Sequence, residues 1–418
     1  MTKRTLKILQ LAAYQSNIGD NANISGMRAS FADYFSDYEL SFSDWDIVNF
    51  SWSMTDFSDD TIDFINSFDL FIIGGGGFLE IIPGADTWTG TRVNIPKEIF
   101  ERIRVPLVFF AVGIDTVRAD LDGRPVEREI EKFNDFVEFI SGLDRALLST
   151  RHDGSLDVIE RLIGKSGADK FMLVPDGGFY ATKTDMCHPE IAADKINIAI
   201  NFGGDLVDAR YQADYSASPV SNNPLNLTRP KDYEAPSYLD HRGYSKFLIS
   251  FANVIRSLSF DLKNVNFILT PHIYRDLEPH FHLLSVTGFP YCRREMTCAA
   301  YVHGFSGKDY VMDLYSKCDL TIGMRFHANV CPIGLGTPSI GLGTFPMIGN
   351  LYRSLELNDR FIQASAGSKF EDDLYRSVIS SLDNSDKIRQ RYREVQGSLQ
   401  TMTSDLMRKI DVLLDRED

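Results

Sequence analysis

Residues 318–343 hold the side chains whose types and spacing could do chemistry. The apolar stretch 319–323 predicts a short buried strand, and residues 339–342 predict a second one. Arg325 and His327 directly follow the first strand, at a turn that faces the ligand in strand, crossover, strand units. A fixed guanidinium beside an imidazole suits an anionic substrate that must gain or lose a proton. The alternative is that Arg325 pairs with a neighbouring carboxylate and His327 is only a polar residue at a helix start.

A run of four glycines at residues 74–77 ends the all-apolar stretch 70–73, which predicts a central strand. Glycines there let the backbone approach a ligand closely and present several N–H groups to an anion. The run is not a P-loop, because no Gly-Lys-Ser/Thr follows it. It is therefore either a tight turn or a cradle for phosphate or carboxylate, with the backbone amides of Gly75, Gly76 and Gly77 as donors.

Asn17 and Arg151 also follow predicted strands and precede predicted helices. Asn17 could donate its amide to a substrate, or its turn could serve only to begin a helix over about residues 22–34, capped by Asp20 or Asn21. Arg151 could clamp a doubly anionic substrate. The alternative for Arg151 is a surface ion pair with an acidic neighbour, Asp153 or Asp157.

Histidines lie at and beyond the end of a strand predicted over residues 265–270. His272, at the strand end, could bond a phosphate or assist a proton transfer. His280 and His282 lie two residues apart in a predicted helix, so they point to different sides and are not expected to share a metal ion.

A stretch of about 40 residues, 203–243, follows the strand predicted over 196–201 and carries four prolines. Such a length is typical of a functional loop, and we assign it to substrate recognition, with Arg210, Tyr211 and Tyr215 as candidates. The alternative is simple disorder.

Composition limits the classes of function. A length of 418 residues suits two α/β domains, and the formal charge of −15 repels nucleic acid and anionic lipid, so no nucleic-acid partner is expected. No segment approaches the roughly 20 apolar residues that span a bilayer, and the apolar run near the N-terminus predicts a first strand. Five cysteines without a C-x-x-C pair favour a reducing cytoplasm. We expect a cytoplasmic protein, either in solution or peripheral at the inner face of the cell membrane.

The sequence resembles the polysaccharide pyruvyl transferase family. The segment Gly323-Met-Arg325-Phe-His327-Ala, followed by Gly336-Thr-Pro338-Ser-Ile, looks like the family's signature. Further segments are similar in the family's order, over roughly residues 10 to 355: Asn17-Ile-Gly19-Asp20, the glycine run 74–77, and Ser149-Thr-Arg151.

The resemblance implies an α/β fold with two Rossmann-like domains facing a cleft, as in GT-B glycosyltransferases. A polar connector at residues 183–194 predicts the boundary. We expect an N-terminal domain over 1–185, a C-terminal domain over 186–383, and a C-terminal helix over 384–418 that packs across both domains.

The resemblance also implies an activity, the transfer of the pyruvyl group of phosphoenolpyruvate to two hydroxyls of a sugar in a surface polysaccharide or its precursor. This forms a ketal and releases phosphate. Phosphoenolpyruvate is then a co-substrate, the acceptor sugar is nucleotide-linked, lipid-linked or polymeric, and no cofactor or metal is required. We predict His327 as the proton-transfer residue, Arg325 as the group that stabilises the departing phosphate, and the following as residues that bind phosphoenolpyruvate: Asn17, Gly75, Gly76, Gly77, Arg151, His272 and Thr344.

This sequence departs from the family at one position. A tyrosine and then a lysine usually follow the second strand, whereas here Gly343-Thr344-Phe345-Pro346-Met347 follows it. Thr344, a backbone amide or Arg353 could replace the lysine.

Two other classes of function stay open. A GT-B glycosyltransferase using a nucleotide sugar would need a carboxylate for ribose, and the predicted strand ends offer Arg and His instead. A non-catalytic protein that binds anionic sugars is the third class.

Overall fold

The chain forms two compact units, each with its own parallel sheet and apolar core. The first unit comprises Met1–Ala181 and Glu394–Asp418, and the second comprises Thr182–Arg393. The computed structural model describes residues 3–15, 17–47, 58–91, 93–116, 124, 126–205, 207–211, 242–288 and 291–415.

The first unit is built on a parallel sheet. Its strands are β1 (Thr5–Ala12), β2 (Glu39–Asp46), β3 (Leu70–Gly76), β4 (Leu107–Val112), β5 (Ala146–Thr150) and β6 (Phe171–Leu173). They lie in the order β2-β1-β3-β4-β5-β6. Every residue of β3 and β4 is buried, as expected for central strands that helices cover on both faces.

Helices cover both faces of this sheet, and side chains alternate between two cores because successive residues of a strand point to opposite faces. Phe71 of β3 lies in a core with the side chains of Phe100 and Phe136, whereas Ile72 lies in a core with Phe31 and Ile410. The helices that follow the strands are α1 (Ile18–Tyr34), α2 (Asp59–Ile65), α3 (Lys97–Arg102), α4 (Glu127–Ser141) and α5 (Ser155–Ala168).

The second unit is also built on a parallel sheet. Its strands are β7 (Ile196–Asn201), β8 (Val265–Leu269), β9 (Met296–Cys298), β10 (Leu320–Gly323), β11 (Ser339–Gly343) and β12 (Phe361–Gln363). They lie in the order β12-β11-β10-β7-β8-β9, which is that of a doubly wound Rossmann sheet. The predicted α/β fold of two Rossmann-like domains is confirmed.

The helices of the second unit connect its strands. They are α6 (Val207–Arg210), α7 (Arg242–Leu262), α8 (Leu277–Thr287), α9 (Tyr291–Arg294), α10 (Gly304–Ser316), α11 (His327–Leu335), α12 (Pro346–Ser354) and α13 (Ser368–Asp383). The last helix, α14 (Ser385–Leu414), begins in the second unit and continues into the first. No helix in the described ranges has both the length and the apolar character that crossing a membrane requires.

The first helix begins earlier than the sequence predicts. The helix α1 begins at Ile18 because the Asn17 side chain accepts a 3.0 Å hydrogen bond from Gly19 N–H and so caps the helix. The strand β2 pairs with the whole of β1, from Thr5 opposite Glu39 to Ala12 opposite Asp46. Of the long segment predicted to be a loop, residues 206 and 212–241, which include Tyr215, lie outside the described residues.

The junction of β10 and α11 depends on a glycine and a proline. A Cβ atom on Gly323 would lie 2.5 Å from the carbonyl oxygen of Ala328, so only glycine lets this helix begin so close to the strand. Pro332 lies four residues after Ala328 in the helix, and it has no N–H group to donate to the Ala328 carbonyl. The helix begins at His327, four residues after the last residue of the strand.

Candidate functional site

The candidate residues of the second unit lie where its strand order reverses. The strand β7 has β10 on one side and β8 on the other, and ligands of doubly wound sheets bind beyond the carboxyl ends of strands at such a point. Asn201 ends β7, and Arg325 and His327 follow β10. The turn predicted to carry chemistry is therefore at the edge of the sheet where ligands bind in this fold.

Arg325 is buried and bonded to two carboxylates. Its Nε donates to Asp276 Oδ2 over 2.7 Å, and its Nη2 donates to Asp276 Oδ1 over 2.5 Å and to Asp205 Oδ1 over 2.6 Å. Burial would lower the pKa of Arg325, but the two carboxylates outweigh it and raise that pKa. Arg325 thus pairs with carboxylates, as the simpler interpretation of the sequence required.

Asp276 fixes the position of that guanidinium. Its side chain is fully buried and accepts hydrogen bonds from the backbone N–H groups of Gly204 and His272, both over 2.9 Å. Burial would raise the pKa of Asp276, but the charge and hydrogen bonds of Arg325 outweigh it and hold the pKa below its ordinary value. The sequence pattern assigned no role to Asp276, although it lies four residues after His272.

His272 is a buried, neutral imidazole. Its Nε2 lies 2.8 Å from Tyr315 Oη, which in turn lies 3.0 Å from Thr270 Oγ1. Burial is the main cause that lowers the pKa of His272 to about 3, and His327 is close enough to contribute electrostatically. His272 can therefore act in a contact with substrate as a hydrogen-bonding group, and it carries no charge at neutral pH.

Two further residues join this group from the neighbouring strand end and from α6. Thr344, which follows β11, accepts a 3.2 Å hydrogen bond from Arg210 Nη1. The Arg210 guanidinium also lies 4.5 Å from the centre of the Phe345 ring and bonds the Asp205 carboxylate. Sequence and structure together define the second-sheet cluster, which comprises Asp205, Arg210, His272, Asp276, Arg325, His327 and Thr344.

The glycine run of the first unit lies at the corresponding position, since the strand order reverses there between β1 and β3. Gly74 has a φ of +155°, and a Cβ on it would lie 2.2 Å from the carbonyl oxygen of Phe110. A Cβ on Gly75 would lie 2.8 Å from Asn23 Oδ1, whereas one on Gly77 would have no atom of the described chain within 4 Å. Close packing on the Phe110 backbone and on the Asn23 side chain of α1 therefore accounts for the first two glycines, whereas no contact in the described chain requires glycine at position 77.

Arg151 is buried in an ion-pair network of its own. Its Nε donates to Asp153 Oδ2 over 2.6 Å and its Nη1 lies 3.3 Å from Asp176 Oδ2. The guanidinium packs so closely on Gly113 that a Cβ there would lie 2.8 Å from Nη2. The pair with Asp153 was foreseen as an alternative, but as a surface pair, whereas both side chains are buried. Asp176 was missed.

Other polar residues singled out in the sequence have separate partners. His280 Nε2 accepts a 3.1 Å hydrogen bond from Phe202 N–H, and His282 Nδ1 lies 3.0 Å from Tyr244 Oη. Within the ranges that the structure describes, no three His, Cys, Asp or Glu side chains are grouped to hold a metal ion.

Solved structures with low sequence identity share this fold. A protein from Listeria monocytogenes described as a UDP-N-acetylglucosamine 2-epimerase has a TM-score of 0.56 at 10% identity, covering 99% of this chain and 98% of its own. The UDP-GlcNAc 2-epimerase from Neisseria meningitidis has a TM-score of 0.52 at 10% identity, with coverage of 97% and 99%. A glycosyltransferase from Rickettsia africae has a TM-score of 0.51 at 10% identity, with 99% of both chains covered. These likenesses support the GT-B-type fold alone.

Sequence comparison identifies the family. Comparison with curated proteins gives no match. The model of the family described as polysaccharide pyruvyl transferase matches residues 17–344, which include Asn17, the glycine run and the second-sheet cluster. The chain therefore belongs to the polysaccharide pyruvyl transferase family.

Proposed function

We propose that the protein transfers the pyruvyl group of phosphoenolpyruvate to two hydroxyls of a sugar, forming a cyclic ketal and releasing phosphate. The acceptor is a sugar of a surface polysaccharide or of its nucleotide-linked or lipid-linked precursor. Family membership supports the transfer of a pyruvyl group. The observation that carries the proposal is the position of Arg325 and His327, side by side beyond β10 at the reversal of strand order.

In this proposal His327 donates a proton to the methylene carbon of phosphoenolpyruvate. The resulting cationic centre at C2 accepts the oxygen of one sugar hydroxyl, which loses its proton. The bond between C2 and the phosphate oxygen then breaks, phosphate leaves with the bonding electron pair, and the second hydroxyl closes the ketal and loses its proton. General acid catalysis of this kind contributes about a hundredfold to ten-thousandfold in rate.

Arg325 has the properties that stabilisation of the departing phosphate needs. Its guanidinium is buried, so its charge acts at low dielectric, and Asp276 fixes its orientation through two hydrogen bonds. His272 and Thr344 are proposed to contact the donor as neutral hydrogen-bonding groups. Asn17, Arg151 and the backbone amides of Gly75, Gly76 and Gly77 are proposed as donor-binding groups of the first domain.

The scheme needs no metal ion or cofactor. We propose that the reaction takes place in the cytoplasm, with the enzyme in solution or at the inner face of the membrane, because five cysteines without a C-x-x-C pair favour a reducing compartment.

Ligand-dependent melting tests the proposal. We expect phosphoenolpyruvate to raise Tm, because a ligand present at 100 times its Kd stabilises the native state by about 2.7 kcal/mol. Stabilisation by a UDP-sugar alone would instead support a glycosyltransferase, and stabilisation by pyruvylated glycans alone a non-catalytic binding protein. Phosphate release from phosphoenolpyruvate with a panel of synthetic acceptors then identifies the acceptor sugar.

A further inference from the structure

The Asp205 carboxylate lies between two guanidinium groups. Its Oδ1 accepts from Arg325 Nη2 over 2.6 Å and from Arg210 Nη2 over 3.0 Å, and its Oδ2 lies 3.1 Å from the same Arg210 nitrogen. Two converging guanidinium groups are the arrangement that proteins use to bind phosphate and carboxylate ligands. Asp205 thus occupies an anion-binding position built by Arg210 and Arg325.

Asp205 and Asp276 are held differently, although both pair with Arg325. The Asp276 side chain is 0% exposed and accepts additional bonds from backbone N–H groups of Gly204 and His272. The Asp205 side chain is 28% exposed, and in the described residues its carboxylate is bonded by the two guanidinium groups and its own backbone. Asp205 can therefore leave without unfolding its surroundings, whereas Asp276 cannot.

The charges of this group also matter for anion binding. Arg210 and Arg325 supply two positive charges, and Asp205 and Asp276 supply two negative charges, so the four side chains are neutral together. A neutral group attracts a dianion weakly. Once Asp205 leaves, Arg210, Arg325 and Asp276 together carry a net positive charge. The Nη2 groups of the two arginines then become available to bind an anion at one position.

Arg210 is positioned before any anion arrives. Its Nη1 donates to Thr344 Oγ1 over 3.2 Å, its guanidinium lies over the Phe345 ring, and its side chain is 8% exposed. These contacts use atoms other than the Nη2 that bonds Asp205, so the guanidinium keeps its orientation when the carboxylate leaves.

We propose that Asp205 is a displaceable counter-ion, and that a phosphate-type anion takes its place between Arg325 Nη2 and Arg210 Nη2. This assigns Arg210 to anion binding in place of the role in substrate recognition that the long segment suggested. The identity of the anion as the phosphate of phosphoenolpyruvate rests on the proposed function; the anion site itself does not.

Calorimetric titration of the full chain with inorganic phosphate tests the proposal. Asp205→Asn should bind phosphate roughly tenfold more tightly than the unchanged protein, because no carboxylate has to be displaced. Arg210→Gln should bind phosphate roughly tenfold more weakly, and the double variant should not recover the gain. Asp405→Asn, at an exposed position in α14, is the matched control and should bind phosphate like the unchanged protein.

A folded Asp205→Asn variant with unchanged or weaker phosphate binding overturns the proposal, because a purely structural carboxylate would give that result. Unchanged phosphate binding by Arg210→Gln overturns the proposal as well, and this test holds even if the Asp205→Asn variant does not fold. The same titrations with phosphoenolpyruvate separate the two hypotheses. If Asp205→Asn binds phosphate more tightly but the unchanged protein does not turn over phosphoenolpyruvate, the counter-ion proposal is supported and the proposed function is rejected. If the unchanged protein turns over phosphoenolpyruvate but Asp205→Asn does not change phosphate binding, the proposed function is supported and the counter-ion proposal is rejected.

Discussion

Asn201 Oδ1 accepts a 3.1 Å hydrogen bond from the backbone N–H of Arg325, and so joins the ends of β7 and β10 where the strand order of the second sheet reverses. The same amide donates its Nδ2–H to the carbonyl of Thr270, beyond β8, over 2.8 Å. One buried side chain thus connects three strand ends and fixes the point at which the backbone of Arg325 leaves the sheet.

Replacing Asp276 by Asn should destabilise the second unit. The substitution removes the charge that compensates the buried Arg325, and breaking a buried ion pair in this way typically costs about 3–5 kcal/mol. Urea unfolding followed by circular dichroism measures the loss. Tryptophan fluorescence should change less, because the three tryptophans are at positions 45, 52 and 88, within the sequence of the first unit.

The control for Asp276→Asn is Asp405→Asn, whose partner Arg408 lies three residues away on an exposed helix surface. Such a pair contributes at most about 1 kcal/mol. Equal losses in the two variants would mean that the pair of Arg325 with Asp276 is no more important for stability than a surface pair.

Local patterns in the sequence were sufficient to place Arg325 and His327 at a strand end. The buried run of β10 is short and ends in glycine, and the Arg-x-His motif follows it directly, so neither tertiary contacts nor strand order was needed. The partners of Arg325 could not be predicted in this way. Asp276 and Asp205 are 49 and 120 residues away in the chain, and strand order alone brings them to the same edge.

The start of α1 was missed although its signal is local. Asn17 is a good N-cap residue, but Asp20 and Asn21 compete for that position in the sequence. In the structure Asn21 Nδ2 donates to the carbonyl of Tyr14 over 3.1 Å, so it stabilises the preceding turn from inside the helix. That contact depends on where β1 ends, which the sequence leaves open by a residue or two.

Alanine substitutions should separate the two kinds of glycine in the run 74–77. Gly74→Ala should destabilise the first unit by on the order of 2–4 kcal/mol, because the new Cβ would lie 2.2 Å from the Phe110 carbonyl oxygen and the φ is +155°. Tryptophan fluorescence during urea unfolding measures the loss.

Gly77→Ala is the matched comparison, because nothing in the described chain lies within 4 Å of its added Cβ. Its stability should change by less than about 0.5 kcal/mol. If the backbone here binds the donor, Gly77→Ala should nevertheless weaken the binding of phosphoenolpyruvate. Unchanged binding would remove Gly77 from the proposed cradle.

Mild acidification should destabilise the second unit through its buried histidines. Burial lowers the pKa of His272 to about 3 and that of His280 to about 4, whereas an unfolded histidine titrates near about 6.5. As pH falls below about 6.5, the unfolded chain takes up protons that the native chain refuses, so at pH 5 each group destabilises by about 2 kcal/mol. The stabilisation is complete above that pH and is lost on acidification toward the folded pKa values.

The share of this loss that comes from His280 can be measured separately. The pKa values of Asp205 and Asp276 lie below their ordinary range, so their contribution is lost only below about pH 4. His280→Gln should therefore reduce the fall in Tm between pH 7 and pH 5, and His303→Gln, at an exposed position, should not. An equal fall in all three proteins would exclude His280 as a source of the pH dependence.

Replacing His327 by Ala should lower kcat by about a hundredfold to ten-thousandfold and leave KM for phosphoenolpyruvate nearly unchanged. The reason is that a proton donor acts in the transition state, whereas the proposed binding groups, Arg325 above all, remain in place through their bonds to Asp276. His303→Ala, at the exposed start of α10, is the control and should retain full activity. Steady-state phosphate release at varied donor concentration distinguishes the roles. A large rise in KM at unchanged kcat would make His327 a binding residue and would leave the proposed proton transfer without its donor.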